Sequence, residues 1–488
     1  MAMGKKTSTV LLILLIILGL YLRISGTLNG VFAFTFDQGK DFLTLRDLIY
    51  NHKLQLIGAT SGIDGVFHGV WWYWFMAPLF WLTGGNPQLV VLSFNIFSAL
   101  IIPLVFILGK RIVDTRLGLI LAGMTAVSRF VLGTATQFWH PNIEPVLVVL
   151  FLLAIYRYFK KGTGFGWVGL ASGAIFEFQL LFGGLFTAAF LVTAMVMRLT
   201  PQKKDWLRFG LGFSLWLIPR IIFDLRHGFL QLKSFFNYVW NPAQSRWDVP
   251  LILRIFDRLH TTFVLLNDTY GRGYSIITAV IMVITVAATA YFTFKSHDPV
   301  LKKLVIFITL IILGIVGGAS IYTKAVWNYY LIGLPFLSLP FAGFGFQMLM
   351  RRLRYLGVIL FIGWLMWLWE PWSGLSGPWE GDASVYINQL RVVDTVLDDI
   401  KDSPFNVQVY TPAVIDYAYD YLFLWRGETR DGHVPDRKGS QKLVYLIIEP
   451  EIWNPKIKEA WLRDREGDGT IVWHKKFPGG IEVEKRVR

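Results

Sequence analysis

The chain has 488 residues, of which 54% are hydrophobic and only 16% are charged. A soluble domain carries about 25% charged residues, and long apolar runs recur through the first three quarters, so a soluble class is excluded. With no cysteine, disulfide frameworks, thiol nucleophiles and Cys-based zinc or iron–sulfur sites are excluded as well. The formal net charge of +14 is unevenly placed: residues 1–370 hold 31 Lys/Arg against 14 Asp/Glu, whereas 371–488 hold 16 against 19. The basic excess therefore belongs to the apolar part and does not point to nucleic acid.

Apolar spans are read at 8–24, 88–109, 117–134, 145–159, 164–182, 184–200, 209–223, 274–294, 304–320, 328–349 and 355–369, each near the ~20 residues that a bilayer requires. The stretch 164–200 is either one hairpin kinked at Gly183-Gly184 or two helices, and is taken as two. Lys5, Lys6 and an apolar core resemble a signal peptide, but no clean small-x-small site follows, so an uncleaved first span is expected. With about eleven spans and the N-terminus inside, most basic residues of the membrane part fall in inner loops, as the positive-inside rule requires. Residues 69–84 carry Trp71, Trp72, Tyr73, Trp74 and Trp81, are interrupted by Pro78, and read as interfacial; counting them as a span reverses the charge bias.

The first outer segment, 25–87, contains an amphipathic stretch over 37–52 with Phe42, Leu45, Leu48 and Ile49 on one face, expected to lie on the outer leaflet. Asp37 and Asp41 share another face, with Lys40 beside them. A carboxylate at a helix start is equally a cap or a catalytic group. His140 and Asn142 follow in Gln-Phe-Trp-His-Pro-Asn-Ile-Glu-Pro, where a single His is more often a hydrogen-bonded structural group than a ligand. Charged residues at membrane depth are functional candidates by cost alone. Glu144 falls in or near a span, and Glu177 has apolar neighbours all round, so it is protonated, paired across helices, hydrogen-bonded to Gln179 or facing a wet cavity. Arg220, Asp224 and Arg226 lie at the outer end of a span, where an i,i+4 Arg220–Asp224 ion pair is the plain expectation.

A second outer segment, 224–273, is rich in aromatic and basic residues (Phe235, Phe236, Tyr238, Trp240, Trp247, Arg254, Arg258). Lys324, Asn328, Tyr329 and Tyr330 form a further outer-edge group, read as a snorkelling Lys among belt aromatics or as a cationic seat for a lipid phosphate. After Pro371 the chain changes character. A helix is expected over 383–400, strands at 405–410 and 443–448, and a hairpin of 472–476 with 481–485 around Pro478-Gly479-Gly480. The fold class is thus a polytopic α-helical membrane domain, 1–370, followed by an extracytoplasmic α/β domain, 371–488. No phosphate-binding Gly-rich loop, dinucleotide fingerprint or His-Glu-x-x-His occurs, and the eight scattered His do not indicate a metal.

The layout resembles the GT-C glycosyltransferases of the protein mannosyltransferase and aminoarabinose transferase superfamily over about residues 8–370. Phe36-Asp37-Gln38-Gly39-Lys40-Asp41 through Leu48 looks like its acidic motif and amphipathic helix. Phe67-His68-Gly69-Val70-Trp71-Trp72-Tyr73 with Ala77-Pro78 looks like its juxtamembrane helix. Trp139-His140-Pro141-Asn142, the run from Pro219 to Gly228, and Asn328-Tyr329-Tyr330 with Pro335 follow in the same order. The pattern departs from the family where Gln38 replaces an expected second acid.

The resemblance implies sugar transfer from a polyprenyl-phosphate donor to a protein, glycan or lipid acceptor outside the plasma (inner) membrane, with no ATP needed and a divalent metal allowed but not indicated. It makes Asp37 the general base and implies inversion. Lys40, Arg220, Arg226, Lys324, Tyr329 and Tyr330 become the donor-phosphate groups. Asp41, His68, His140, Asn142, Glu177, Gln179 and Asn328 become acceptor or sugar contacts. The competing reading is a non-catalytic transporter or flippase of a lipid-linked sugar, which broken helices in repeated halves would favour; the span pattern has no two-fold repeat.

Overall fold

The computed structural model describes residues 4–199, 201–240, 249–271, 276–368, 381–400, 403–412, 415–430, 432–436 and 441–488. Trp247 and the Pro371 boundary lie outside them. The first span is α1 (Lys5–Leu28), and the long loop that follows carries α2 (Phe36–Ile49) and α3 (Trp71–Leu82). α3 runs unbroken through Pro78, where an interruption is expected from sequence. A proline removes one backbone donor, and a helix packed against neighbours absorbs that loss: Trp72, Tyr73, Met76, Ala77 and Phe80 are buried.

The bundle continues with α4 (Pro87–Ser98), α5 (Ile101–Ile112), α6 (Thr115–Val127), α7 (Arg129–Thr136) and α8 (Glu144–Lys161). α6 and α7 meet at a 61° bend at Ser128. Arg23 of α1 donates to the carbonyl of Thr125 at this bend, 3.0 Å away. That oxygen is among the last carbonyls of α6, which have no intrahelical partner once the helix turns aside.

The stretch 164–200 is indeed two helices, α9 (Phe165–Phe178) and α10 (Leu180–Val196). The turn falls at Gln179, whose backbone is extended, and not at Gly183-Gly184. Gly183 instead lets α10 fold back on α9, because a Cβ there would overlap the backbone of Phe176. α11 (Lys203–Arg226) lies against α9 along Gly169 and Gly173, which meet the carbonyls of Phe209 and Phe213. Small residues at such a seam let the two backbones approach closely.

The second outer segment is helical, as α12 (Leu230–Trp240) and α13 (Leu251–Tyr270), and α14 (Ile276–Lys295), α15 (Pro299–Ile321), α16 (Leu334–Leu353) and α17 (Tyr355–Leu368) complete the bundle. Among the described residues six helices are long and apolar enough to cross a membrane, or seven if the bent pair counts as one span. This is fewer than the eleven expected from runs of hydropathy. α9, α10 and α17 are shorter apolar helices, and the run from 328 begins as a 3₁₀ turn, Asn328–Leu331, with α16 starting at Leu334.

The C-terminal part has α18 (Tyr386–Asp399), β1 (Phe405–Tyr410), α19 (Tyr417–Arg430), β2 (Leu443–Ile448), α20 (Pro455–Arg463), β3 (Thr470–Lys476) and β4 (Glu482–Val487). The sheet order is β1-β2-β4-β3, with β1 parallel to β2 and the other pairs antiparallel. The expected hairpin is β3–β4, and its turn uses Gly479 and Gly480 at φ of 77° and 72°, a region that favours glycine.

One face of its sheet keeps a small core of its own, Val444, Leu446 and Ile448 under Trp461 and Leu462; the larger core is shared. Phe32, Phe34, Phe42, Tyr73 and Phe80 of the long loop join Tyr386, Val393, Tyr421, Phe423 and Tyr445 in one hydrophobic cluster. α2 is held between α3 and α19, where its expected place is the leaflet surface. Gly39 makes the second contact, since a Cβ there would overlap the backbone of Tyr417 and Ala418.

Candidate functional site

The start of α2 fixes the first acidic group. Thr35 is the N-cap, and Gln38 Oε1 accepts from the Thr35 backbone N–H at 3.0 Å and from its hydroxyl at 2.6 Å. Gln38 Nε2 donates to the Phe138 carbonyl at 2.9 Å. A glutamate could not supply that last bond, because an ionised carboxylate only accepts; the departure from an Asp-Glu pair therefore has a structural use. Thr35 and Gln38 do the capping, which releases Asp37 from it. Asp37 is half-buried and has no hydrogen-bond or ion-pair partner among the described residues. Burial pushes its carboxyl above the ordinary value of 3.8, and nearby Lys40 offsets part of the rise.

Asp41 is a different kind of group. It is 4% exposed, and its oxygens accept from Trp72 Nε1 at 2.8 Å and Tyr73 OH at 2.9 Å. Burial drives its carboxyl up to about 7 against the opposing pull of those two bonds. Asp41 thus ties α2 to α3 and does not offer a free oxygen beside Asp37.

From Asp37 a file of rings leads away along one end of the bundle. Tyr329 lies within electrostatic reach of Asp37 and packs on Tyr330 at 4.4 Å and on Trp139 at 5.1 Å. Trp139 is 5.6 Å from His140, which is 4.4 Å from His68. Burial, with Arg220 nearby, pulls the His68 pKa down to about 4, so the ring is neutral. His68 Nδ1 and His140 Nε2 are both buried without a partner.

Arg220 closes the file. Its Nε donates to Glu177 Oε1 at 2.8 Å, and its Nη1 donates to the Phe67 carbonyl at 2.8 Å and to Gln231 Oε1 at 2.7 Å. Glu177 is therefore paired across helices, and neither a Glu177–Gln179 bond nor the Arg220–Asp224 pair expected from i,i+4 spacing forms. Asp224 caps α12 instead, accepting from the backbone N–H of Gln231 at 2.8 Å. An i,i+4 partner at a part-exposed helix end competes poorly with a buried charge-assisted bond backed by two further acceptors for the guanidinium.

The remaining candidates divide. Lys324 stands over the ring of Tyr238, 3.5 Å from its centroid, and Tyr238 OH meets Tyr322 OH at 2.7 Å. Burial lowers the Lys324 pKa, with Asp64 acting the other way. Tyr322 and Tyr330 interact with Tyr238, so Lys324 reaches the file of rings from its far side. Asn142 Nδ2 donates to the Gln137 carbonyl at 2.9 Å and holds the turn before α8. Gln179 is buried with a partnerless Oε1. Arg226 and Asn328 are exposed and have no hydrogen bond or ion pair among the described residues. Among those residues no three His, Asp or Glu converge as a metal cage. Gln231 and Tyr322 join the site without a sequence signal of their own, and Trp139 and Tyr238 are marked in the sequence only as part of a motif and an aromatic-rich segment. The Tyr238–Tyr322 and Trp139–Tyr329 contacts span 84 and 190 positions, beyond any local pattern.

No protein-family model and no curated protein sequence matches the chain. Solved structures do. Over 99% of both chains, the protein is similar to ArnT from Cupriavidus metallidurans bound to undecaprenyl phosphate, with a TM-score of 0.61 and 11% identity. It is also similar to the oligosaccharyltransferase AglB from Archaeoglobus fulgidus in complex with an inhibitory peptide and a dolichol-phosphate. That match has a TM-score of 0.51 and 12% identity, over 91% of this chain and 69% of the other. Both are GT-C glycosyltransferases, and the likeness establishes that fold here.

Proposed function

We propose that the protein is a membrane glycosyltransferase that moves a sugar from a polyprenyl-phosphate donor to an acceptor outside the membrane, with Asp37 as general base. One observation carries the reading. Of the carboxylates near the ring file, Asp41 is engaged by Trp72 and Tyr73, Glu177 is engaged by Arg220, Glu144 is fully buried, and Asp64, near Lys324 on the far side, is exposed. Asp37 alone of these is half-exposed and unengaged. The fold shared with a protein solved with undecaprenyl phosphate and another solved with a dolichol-phosphate supports the donor class.

In this mechanism the acceptor nucleophile attacks the anomeric carbon while Asp37 takes its proton. The bond from that carbon to the phosphate oxygen breaks, and the pair of electrons leaves with the lipid phosphate. As Asp37 loses its charge by protonation, the departing phosphate gains one, and Lys40 beside Asp37 can turn its attraction to it. Arg220 and the Tyr329/Tyr330 pair offer further donors, with Lys324 and Arg226 at the rim. His68, His140 and Gln179 lie along the path where the sugar would be held. A single displacement on one carboxylate inverts the anomeric configuration.

The test supplies proteoliposomes with labelled sugars on undecaprenyl phosphate or on nucleotides, and reads the anomeric configuration of the product. Transfer from the lipid phosphate with inversion is the expected result. Transfer from nucleotide sugars alone, or with retention, overturns the reading.

A further inference from the structure

The donors around Arg220 are left incomplete in a specific way. Gln231 is 4% exposed, and its Oε1 accepts from Arg220 Nη1 and from the Phe67 backbone N–H, the latter at 3.1 Å. Two donors facing one amide atom fix that atom as the oxygen, so Nε2 is the free end, and it is buried without a partner. Arg220 Nη2 is buried and partnerless as well. Two buried donors from neighbouring side chains thus stand unused, where buried polar groups are ordinarily paired. An anionic oxygen seated on them would complete their hydrogen bonding.

The charge around that seat is balanced. Arg220 is neutralised by Glu177, a charge-assisted pair at 2.8 Å in which Glu177 is 2% exposed. His68 beside it is neutral, Asp224 is turned to its capping bonds, and Arg226 faces solvent. Directed donors without net charge suit one negative charge far better than two, because Glu177 already takes up the charge of the one cation at this seat.

Building on the polyprenyl-phosphate reading, we propose that Glu177 and Gln231 make this seat selective for the charge state of the phosphate. It holds the singly charged phosphodiester of the lipid-linked sugar and disfavours the doubly charged phosphomonoester left after transfer. Glu177 then serves turnover by loosening the spent carrier lipid. This explains why an acid is spent on the cation that faces the phosphate: an unopposed arginine would hold the product more tightly than the substrate.

The test measures binding of two probes to the purified full chain at pH 8, undecaprenyl phosphate and its methyl phosphodiester, so that no particular sugar is presumed. Wild type is expected to prefer the diester. Glu177→Gln keeps an oxygen for Arg220 Nε while removing the opposing charge, and should tighten the monoester by about tenfold or more and the diester by much less. Gln231→Glu keeps the accepting oxygen and adds a negative charge, so it should shift selectivity the opposite way, weakening the monoester most. Glu177→Gln should also lower the concentration of undecaprenyl phosphate that inhibits transfer. Equal effects on both probes, or an unmoved ratio in both variants, overturns the charge selectivity while leaving the transferase reading intact. A wild type that binds neither probe overturns both.

Discussion

Asp37 and Asp41 show how four residues of separation give two carboxylates opposite roles. Both lie on α2, but Asp41 is engaged by two donors at full burial, whereas Asp37 stands half-buried and unengaged. The base must be ionised to work, and its carboxyl titrates above the usual 3.8. The transfer rate is therefore expected to fall as pH drops through a value above that, in a pH–rate profile of kcat/KM. Asp41 acts on stability. Its folded-state value of about 7 exceeds the unfolded one, so the native state holds the extra proton. The contribution is complete below the unfolded value and is lost as pH rises through about 7. Melting curves of wild type minus Asp41→Asn should show a difference that changes between pH 4 and 7; a flat difference would contradict the burial of a titrating acid. The Arg220–Glu177 pair permits a similar separation. Arg220→Met leaves a buried acid unpaired and should cost roughly 3–5 kcal/mol, whereas Arg220→Met with Glu177→Gln should recover most of that stability without recovering transfer.

At the level of elements, two glycine seams set where the site residues meet. Gly39 lets α2 lie on α19, and Gly169 with Gly173 lets α9 lie on α11, so that Glu177 at the end of α9 faces Arg220. Gly39→Ala has no room for its methyl between α2 and the backbone of Tyr417 and Ala418. It should destabilise by about 1–3 kcal/mol in chemical denaturation and lower transfer by moving Asp37, two residues away. A stable, fully active variant would show that α2 does not depend on this contact. The apolar helices and the four strands were legible in the sequence because their apolar periods are local, whereas the expected count of eleven spans was not matched. The place of Asp37 at a helix start was legible, though not its role. Pro78, Gln179 and the helices α12, α13, α19 and α20 were not. In each, packing decides: a proline tolerated inside α3, a single extended residue making a hairpin, amphipathic helices supported by neighbours distant in the chain. The Arg220–Glu177–Gln231 arrangement was hidden for the same reason, since spacing along one helix suggested Asp224 as the partner.

Across the whole molecule, the C-terminal part shares one apolar cluster with the loop that carries α2 and α3. The backbone of residues 30–34 hydrogen-bonds to 384–387: Phe34 N–H reaches the Ser384 carbonyl at 2.8 Å, and Tyr386 N–H reaches that of Phe32 at 3.0 Å. Phe32 stacks on Tyr386 at 4.7 Å, and Tyr421 OH reaches the Gly85 carbonyl. The Arg46–Glu428 ion pair adds little, being partly exposed; the shared apolar cluster is the substance of the contact. The C-terminal domain thus braces the segment that leads into Asp37. Hydrogen exchange should report α2, α18 and α19 opening together, with similar protection, while a C-terminal domain that opens well before α2 would show that the brace is dispensable.

The central claim is that Asp37 is the base of a transferase acting on a polyprenyl-phosphate sugar. It is tested most directly by Asp37→Asn in proteoliposomes supplied with that donor. The variant should retain wild-type affinity for undecaprenyl phosphate and lose about 10²–10⁴-fold in transfer rate, the span typical of a removed general base. Undiminished transfer by the variant would contradict the claim.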